Sequence, residues 1–436
     1  MKTVNFKRYC TFILCSAPIL SRYASPIPQA TLTEFFILIA LPWLIIIRLK
    51  KGQSICVWKE AGTFLLWCLI EILFALIGLK GEMLTDAVGS TLRLVIVYIA
   101  IYIIIPNEVD PYFSRKTVRF WSLVLSIYGL AQVVAVRFGI VLTTYLPFLS
   151  PFGGEKTTDI IMYDQVHRYN LVFRCRSLMS EPAMLCTYLV IGIFLELFIN
   201  IKDTRFKRSR CYSVLYTITA FISRSSTGIM LCMAVWVIYY IYSTGKATRK
   251  TLYQNLVIGG AVAAIGIVVV TVSGIWEYFI NRTFQGTISV DGLMNSTRFR
   301  DLAAIFKNSD TIQGVLFGGG LVDIEQYLPG FPRLYYAFGL VGLGIAVLML
   351  LKIYKYGNKI TKLLTVVYSV LNIGTEIIVG PFAMVYMVFL SKTLNCEYQK
   401  GVTKDEPTKG LVYNTRIQHR TTNSRVFKKR TQSIIP

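Results

Sequence analysis

The chain has 436 residues, 54% of them hydrophobic and only 16% charged, with a formal net charge of +23 and a mean hydropathy of +0.55. That balance excludes a soluble domain, because apolar runs long enough to cross a roughly 30 Å hydrocarbon layer recur from end to end. It also argues against nucleic acid: no basic helix with interleaved aromatics forms a contiguous face, and the Lys and Arg sit instead in short loops between apolar runs, where they meet anionic headgroups.

The chain opens basic (Lys2, Lys7, Arg8) and enters a short apolar run from Tyr9 to about Tyr23. A signal peptide shares this pattern, but no small-x-small cleavage site with a soluble domain follows. The stiff turn Ala24-Ser-Pro26-Ile-Pro28 leads straight into another apolar run, so we read a retained first helix. Further spans are expected at 31–48, 60–79, 85–105, 119–138, 183–201, 211–223, 227–243, 252–276, 335–351, 362–374 and 377–391. The fold class is therefore an all-α polytopic integral membrane protein with about twelve transmembrane helices.

Loop charges orient these spans. With the N-terminus inside, the loops carrying Arg48, Lys50 and Lys51, then Arg115, Lys116 and Arg119, then Lys202 to Arg210, then Lys246 to Lys250, then Lys352 to Lys362, all fall on the cytoplasmic side. Every short loop assigned inside is basic, as the positive-inside rule requires. Two long extracytoplasmic loops result, at about 139–182 and 277–334. Residues 1–394 form the membrane domain, and 395–436 is a basic cytoplasmic tail with the composition of a disordered segment.

Ionisable groups at membrane depth mark function or pair with one another. On this topology Glu71, Arg93, Arg224 and Glu376 fall toward the outer side, as does Glu181 at the end of the first long loop. Each has a structural alternative. Glu71 and Arg93 form one ion pair between adjacent helices, or line a site. Glu181 precedes Pro182, which suits a helix start with a carboxylate at the positive end of the dipole. Arg224, in Ser223-Arg-Ser-Ser-Thr-Gly228, donates to carbonyls at a helix break, or faces a cavity.

The second long loop carries Asn295-Ser-Thr-Arg298-Phe-Arg300, then a short amphipathic stretch, then Gly314-Val-Leu-Phe-Gly318-Gly319-Gly320. Guanidinium forks suit phosphate oxygens, and a glycine run lets backbone N–H groups approach an anion; the alternative for the glycines is a tight turn. No Walker loop, GxSxG or HExxH occurs. Nine cysteines and the two histidines, His167 and His419, form no CxxC and no Cys/His cluster. Metal and cofactor are accordingly expected to be none.

The entry Arg174-Cys-Arg176-Ser-Leu-Met-Ser-Glu181-Pro182 after a long outer loop, the Ser223–Gly228 break, and Ser296-Thr-Arg298 followed by Gly314–Gly320 resemble, in order and spacing, the Wzy-type O-antigen and oligosaccharide repeat-unit polymerases, relatives of the O-antigen ligases. The resemblance covers nearly the whole chain. It implies metal-independent glycosyl transfer on the outer face of a bacterial inner membrane, with undecaprenyl-pyrophosphate-linked oligosaccharides as substrates. A chain-length regulator and a flippase are the implied partners. On it Arg298, Arg300 and Arg176 hold pyrophosphate, with Arg174 and Gly318 to Gly320 beside them. Arg93 and Arg224 are further wall contacts, and Glu181 is the general base. The loop histidine of the ligases has no counterpart in the second loop, which favours polymerase over ligase. A lipid-linked oligosaccharide flippase is the competing reading, but the two halves show no similarity.

Overall fold

The computed structural model describes residues 3–77, 84–152, 173–199, 206–244, 260, 311–321 and 328–391. Among these residues the chain is all-helical. Helix α1 spans Thr3–Leu20, α2 Leu32–Lys50, α3 Lys59–Leu76, α4 Leu84–Ile99, α5 Pro111–Arg137, α6 Pro182–Phe194, α7 Phe206–Ile222, α8 Ser226–Thr244, α9 Ile312–Phe317, α10 Gly330–Tyr356, α11 Lys359–Gly374 and α12 Phe382–Leu390.

Local chemistry fixes the starts. Thr31 and Glu34 form a capping box at α2, each side chain meeting the other's backbone N–H. Asp110 accepts from Tyr112 N and Phe113 N at 2.9 Å ahead of Pro111 in α5. Asn358 caps α11 through Thr361 N at 2.8 Å. Pro106 has no N–H to donate, and α4 accommodates it by widening into a π turn, Ala100–Ile104, before a last turn, Ile105–Glu108.

Five helical stretches are long and apolar enough to cross a bilayer by length and composition: Leu32–Lys50, Val88–Glu108, Pro111–Arg137, Pro182–Ile199 and Gly330–Tyr356. The expectation of a dozen crossings is not met in detail. The span expected at 377–391 holds a nine-residue helix, α12, preceded by non-helical Thr375–Pro381. Such a helix rises only about 13 Å, less than half the hydrocarbon layer. Every residue of α12 is buried in protein. That burial is what makes the irregular backbone before it tolerable, since lipid supplies no hydrogen bonds: Tyr98 donates to the Ile378 carbonyl at 3.1 Å, and Ile378 N donates to Asn372 Oδ1 at 2.9 Å. The span expected at 252–276 and the tail 395–436 lie outside the described residues.

At the end of the bundle that carries the starts of α1 and α5, charges are closed into pairs. Arg48 meets Glu108 at 3.0 Å and the Asn107 carbonyl at 2.9 Å. A second π turn, Leu195–Ile199, presents buried Glu196 to Arg119 Nη2 at 2.8 Å and to the Ser209 hydroxyl.

Candidate functional site

The opposite end is built differently. Here the turn between α1 and α2, the loop after α5, the start of α6 and the α7–α8 break meet. Phe152 N donates to the Arg22 carbonyl at 2.8 Å, and Leu146 N donates to the Tyr23 hydroxyl at 2.9 Å, tying the 140–152 loop to the α1–α2 turn. Gln132, near the end of α5, clamps the entry to α6 with both ends of its amide: Ser177 N donates to its Oε1 at 2.8 Å, and its Nε2 donates to the Ser177 carbonyl at 3.2 Å.

The arginines of the first-loop motif lie at that entry. Arg176 donates from Nη1 to the Ser180 carbonyl at 2.9 Å. Cys175 is buried over Gly129 of α5, where a Cβ would come 3.7 Å from its sulfur. Cys186, one turn into α6, sits 3.0 Å from the Ser223 hydroxyl, and the break before α8 is packed so tightly that a Cβ on Gly228 would stand 2.3 Å from the Cys186 sulfur. Arg174 acts electrostatically on Cys186, and Arg224 on Cys175. Arg174 and Arg224 thus lie within electrostatic reach of this pair of thiols, whereas Arg176 is turned to the Ser180 carbonyl. Burial pushes the Cys175 thiol up to about 12, with the neighbouring Cys186 adding to the rise and Arg224 opposing it.

Glu181 occupies the N-cap position of α6, exposed, with its carbonyl accepting from Leu185 N at 3.1 Å and no capping bond from its side chain. The helix-start alternative is met in position, with Pro182 in the first turn, though the carboxylate makes no hydrogen bond to the free backbone N–H groups.

Arg93 lies at the rim rather than inside the wall. Its Nη2 donates to the Gln29 carbonyl at 2.9 Å and its guanidinium stacks 4.8 Å from the centroid of Phe152. Its contacts run to the α1–α2 turn and to the loop after α5 rather than to Glu71, which is buried in α3.

Three non-glycine residues take positive φ among those described: Gln29 (63°), Ser177 (54°) and Arg224 (54°). All three belong to this end, and each bears on a candidate arginine: Gln29 accepts from Arg93, Ser177 follows Arg176, and the third is Arg224 itself. Backbone held in this costly region clusters at ligand clamps.

The glycine run is corrected by the structure. Gly319 N donates to the Tyr336 carbonyl at 2.8 Å and Gly320 N to the Ala337 carbonyl at 2.9 Å. These carbonyls are freed because α10 breaks at Gly339, where φ is 64°. Gly318 N is likewise committed, to Gly314 O at 2.8 Å. The three amides therefore seat α9 on the α10 break instead of cradling an anion. Phe317 completes the dock, its ring centroid 6.1 Å from Trp67 and 5.3 Å from Phe74 of α3. Arg333, in the first turn of α10, is paired with Glu376 at 2.8 and 2.9 Å. Arg298 and Arg300 lie outside the described residues.

Sequence reasoning missed Arg22. It is buried at the end of α1, where Nη1 donates to the Thr144 carbonyl. The available signal was its sidedness: an arginine flanking a span on the outer side runs against the charge rule.

The sequence model of the WcaD colanic acid polymerase family matches residues 32–288, more than half of the chain. The matched stretch holds Arg93, Arg174, Arg176, Glu181 and Arg224. No curated protein and no solved structure matches the chain.

Proposed function

Because the chain belongs to the WcaD colanic acid polymerase family, we propose that it joins undecaprenyl-pyrophosphate-linked oligosaccharide repeat units into a surface polysaccharide at the outer face of a bacterial inner membrane. The observation that supports this reading is geometric: Arg93, Arg176 and Arg224 lie at the loop-rich end of the bundle beside the three described non-glycine residues held at positive φ, since Gln29 accepts from Arg93, Ser177 follows Arg176 and the third is Arg224 itself. In the reaction a sugar hydroxyl of the acceptor unit attacks the anomeric carbon of the donor, the C–O bond to pyrophosphate breaks, and the diphosphate leaves with the electron pair. Charge grows on that leaving group, and fixed guanidinium groups stabilise it without a metal.

Arg176, Arg174 and Arg224 hold the departing diphosphate, joined by Arg298 and Arg300 from the second long loop. Arg93, with Phe152 beneath it, contacts the incoming unit. Glu181, exposed at the start of α6 beside Arg176, takes the proton of the attacking hydroxyl. Residues 1–394 form the membrane domain and 395–436 a cytoplasmic tail, with both termini inside. A chain-length regulator and a flippase act beside it.

A second reading, a flippase for the same lipid-linked units, is favoured by the breaks in α10 and before α12, since transporters bind substrates at broken helices. Surface-polysaccharide gels of a strain lacking this chain separate the two. Single repeat units on the outer side, with the ladder restored by wild type and not by Arg176→Ala or Arg298→Ala expressed at equal level, support the polymerase. Units trapped on the cytoplasmic leaflet support the flippase, and an unchanged ladder overturns both.

A further inference from the structure

We propose that the face where the N-terminal ends of α1 and α5 meet is a binding site for an anionic phospholipid. Arg8 lies 5.8 Å from the centroid of Phe113 and Lys116 4.5 Å from that of Tyr112, so two exposed cations rest on adjacent rings in the first turn of α5. The two helices are locked at this level, with Asp110 N donating to Thr11 Oγ1 at 2.9 Å.

Three of the acids at this end have partners. Asp110 accepts from two amides of its own helix, Glu108 holds Arg48, and Glu196 holds Arg119. No acidic residue precedes Glu34 in the chain, while Lys2, Lys7 and Arg8 do. Asp110 keeps its negative charge here, but the cations on the two rings outnumber it: Arg8, Lys116 and also Arg115, 6.0 Å from the Tyr112 centroid.

One turn deeper along the same faces, Phe12 (36% exposed) and Phe120 (54%) present apolar surface. Cations over rings above, bare phenyls below, is the order of a lipid: phosphate at the rim, acyl chains along the phenyls. A free anion would use the upper half only. A zwitterionic lipid would gain nothing from the net charge.

The full-length protein is reconstituted in nanodiscs of equal phosphatidylglycerol and phosphatidylcholine, exchanged into neutral detergent, and its retained lipid counted by native mass spectrometry. The expected wild-type result is retention of phosphatidylglycerol over phosphatidylcholine by about thirtyfold, which corresponds to about 1 kcal/mol for each of two cations. Arg8→Gln/Lys116→Gln should lower that ratio to near one. The charge-keeping Arg8→Lys/Lys116→Arg pair should preserve it, which separates lost charge from lost fold. Equal retention of the two lipids by wild type overturns the proposal, as does unchanged selectivity in the glutamine pair. Displacement of the lipid by inorganic phosphate alone overturns the acyl half of the site. None of these readings depends on polymer synthesis.

Discussion

A Cβ placed on Gly339 of α10 would stand 2.2 Å from the carbonyl oxygen of Leu316 in α9. The crossing is reciprocal, since a Cβ on Gly318 would meet the Ala337 carbonyl carbon at 2.5 Å. The end of α9 thus passes the break in α10 backbone to backbone, and both glycines take positive φ, 64° at Gly339 and 70° at Gly318.

Gly339→Ala is expected to be among the most damaging single-methyl additions. The left-handed conformation costs a non-glycine residue about 1–2 kcal/mol, and overpacking against rigid backbone adds a similar amount, so a loss of about 3 kcal/mol should lower the thermal midpoint in detergent. Gly344→Ala, with nothing within 4 Å of the added carbon, should leave the midpoint unchanged. Equal midpoints for the two variants would refute the crossing.

Arg224 allows backbone and charge to be separated. Arg224→Gly relieves its positive φ, a gain offset by the freer unfolded chain, so the fold should stay within about 1 kcal/mol of wild type while the guanidinium is removed. Polymer length on gels should still collapse, with repeat-unit transfer down about a hundredfold, the scale of losing one fixed donor at a developing charge. A glycine variant that keeps full-length polymer would remove Arg224 from the diphosphate site.

Sidedness is testable through thiols. Cys56 and Cys211 are exposed at the end where Arg48 and Arg119 form their pairs. Variants keeping either cysteine alone should resist an impermeant maleimide in intact cells and react once the membrane is opened. Labelling before permeabilisation would invert the orientation.

Cys175 should react slowly for two reasons, its burial and its raised pKa of about 12. In detergent near pH 8, alkylation of Cys56 should run far ahead of Cys175. The folded state holds this proton while the unfolded chain loses it near pH 9, so Cys175 weighs against folding as pH climbs from about 9 toward 12. Cys175→Ala should flatten that decline in stability, read as thermal midpoint against pH.

Glu196 is 3% exposed and Arg119 36%. Removing only the arginine leaves a buried carboxylate short of its partner, and Arg119→Met should destabilise by about 3 kcal/mol. Adding Glu196→Met should recover most of the loss. A double variant no better than the single would mean that the pair contributes little.

Much of this architecture was legible because lipid imposes long apolar runs: α2, α6, α8 and α11 begin within three residues of where hydropathy places them. The starts of α5 and α10 were set too late, since Pro111 with Asp110, and Gly330, extend helices through polar residues that hydropathy discounts. Pairings across sequence were not legible. Nothing local joins Arg333 to Glu376, 43 residues on, or Gln132 to Ser177. The glycine run misled for the same reason: its composition announces close backbone approach, but the partner proved to be a broken helix 20 residues away rather than an anion.

The placement of α12 bears on how the protein is made. It is the last described helix to leave the ribosome, and it packs against α1, the first. It also reaches α6, where Tyr386 donates to the Thr187 carbonyl at 2.8 Å. Too short to settle in lipid by itself, it has somewhere to go only after its neighbours are in place. Until then one face of α1 lacks its partner, while α2 and α5 already cover others. The space beside α1 and α6 that α12 fills therefore stays open until this short segment arrives, and the packing among the described helices is completed only then.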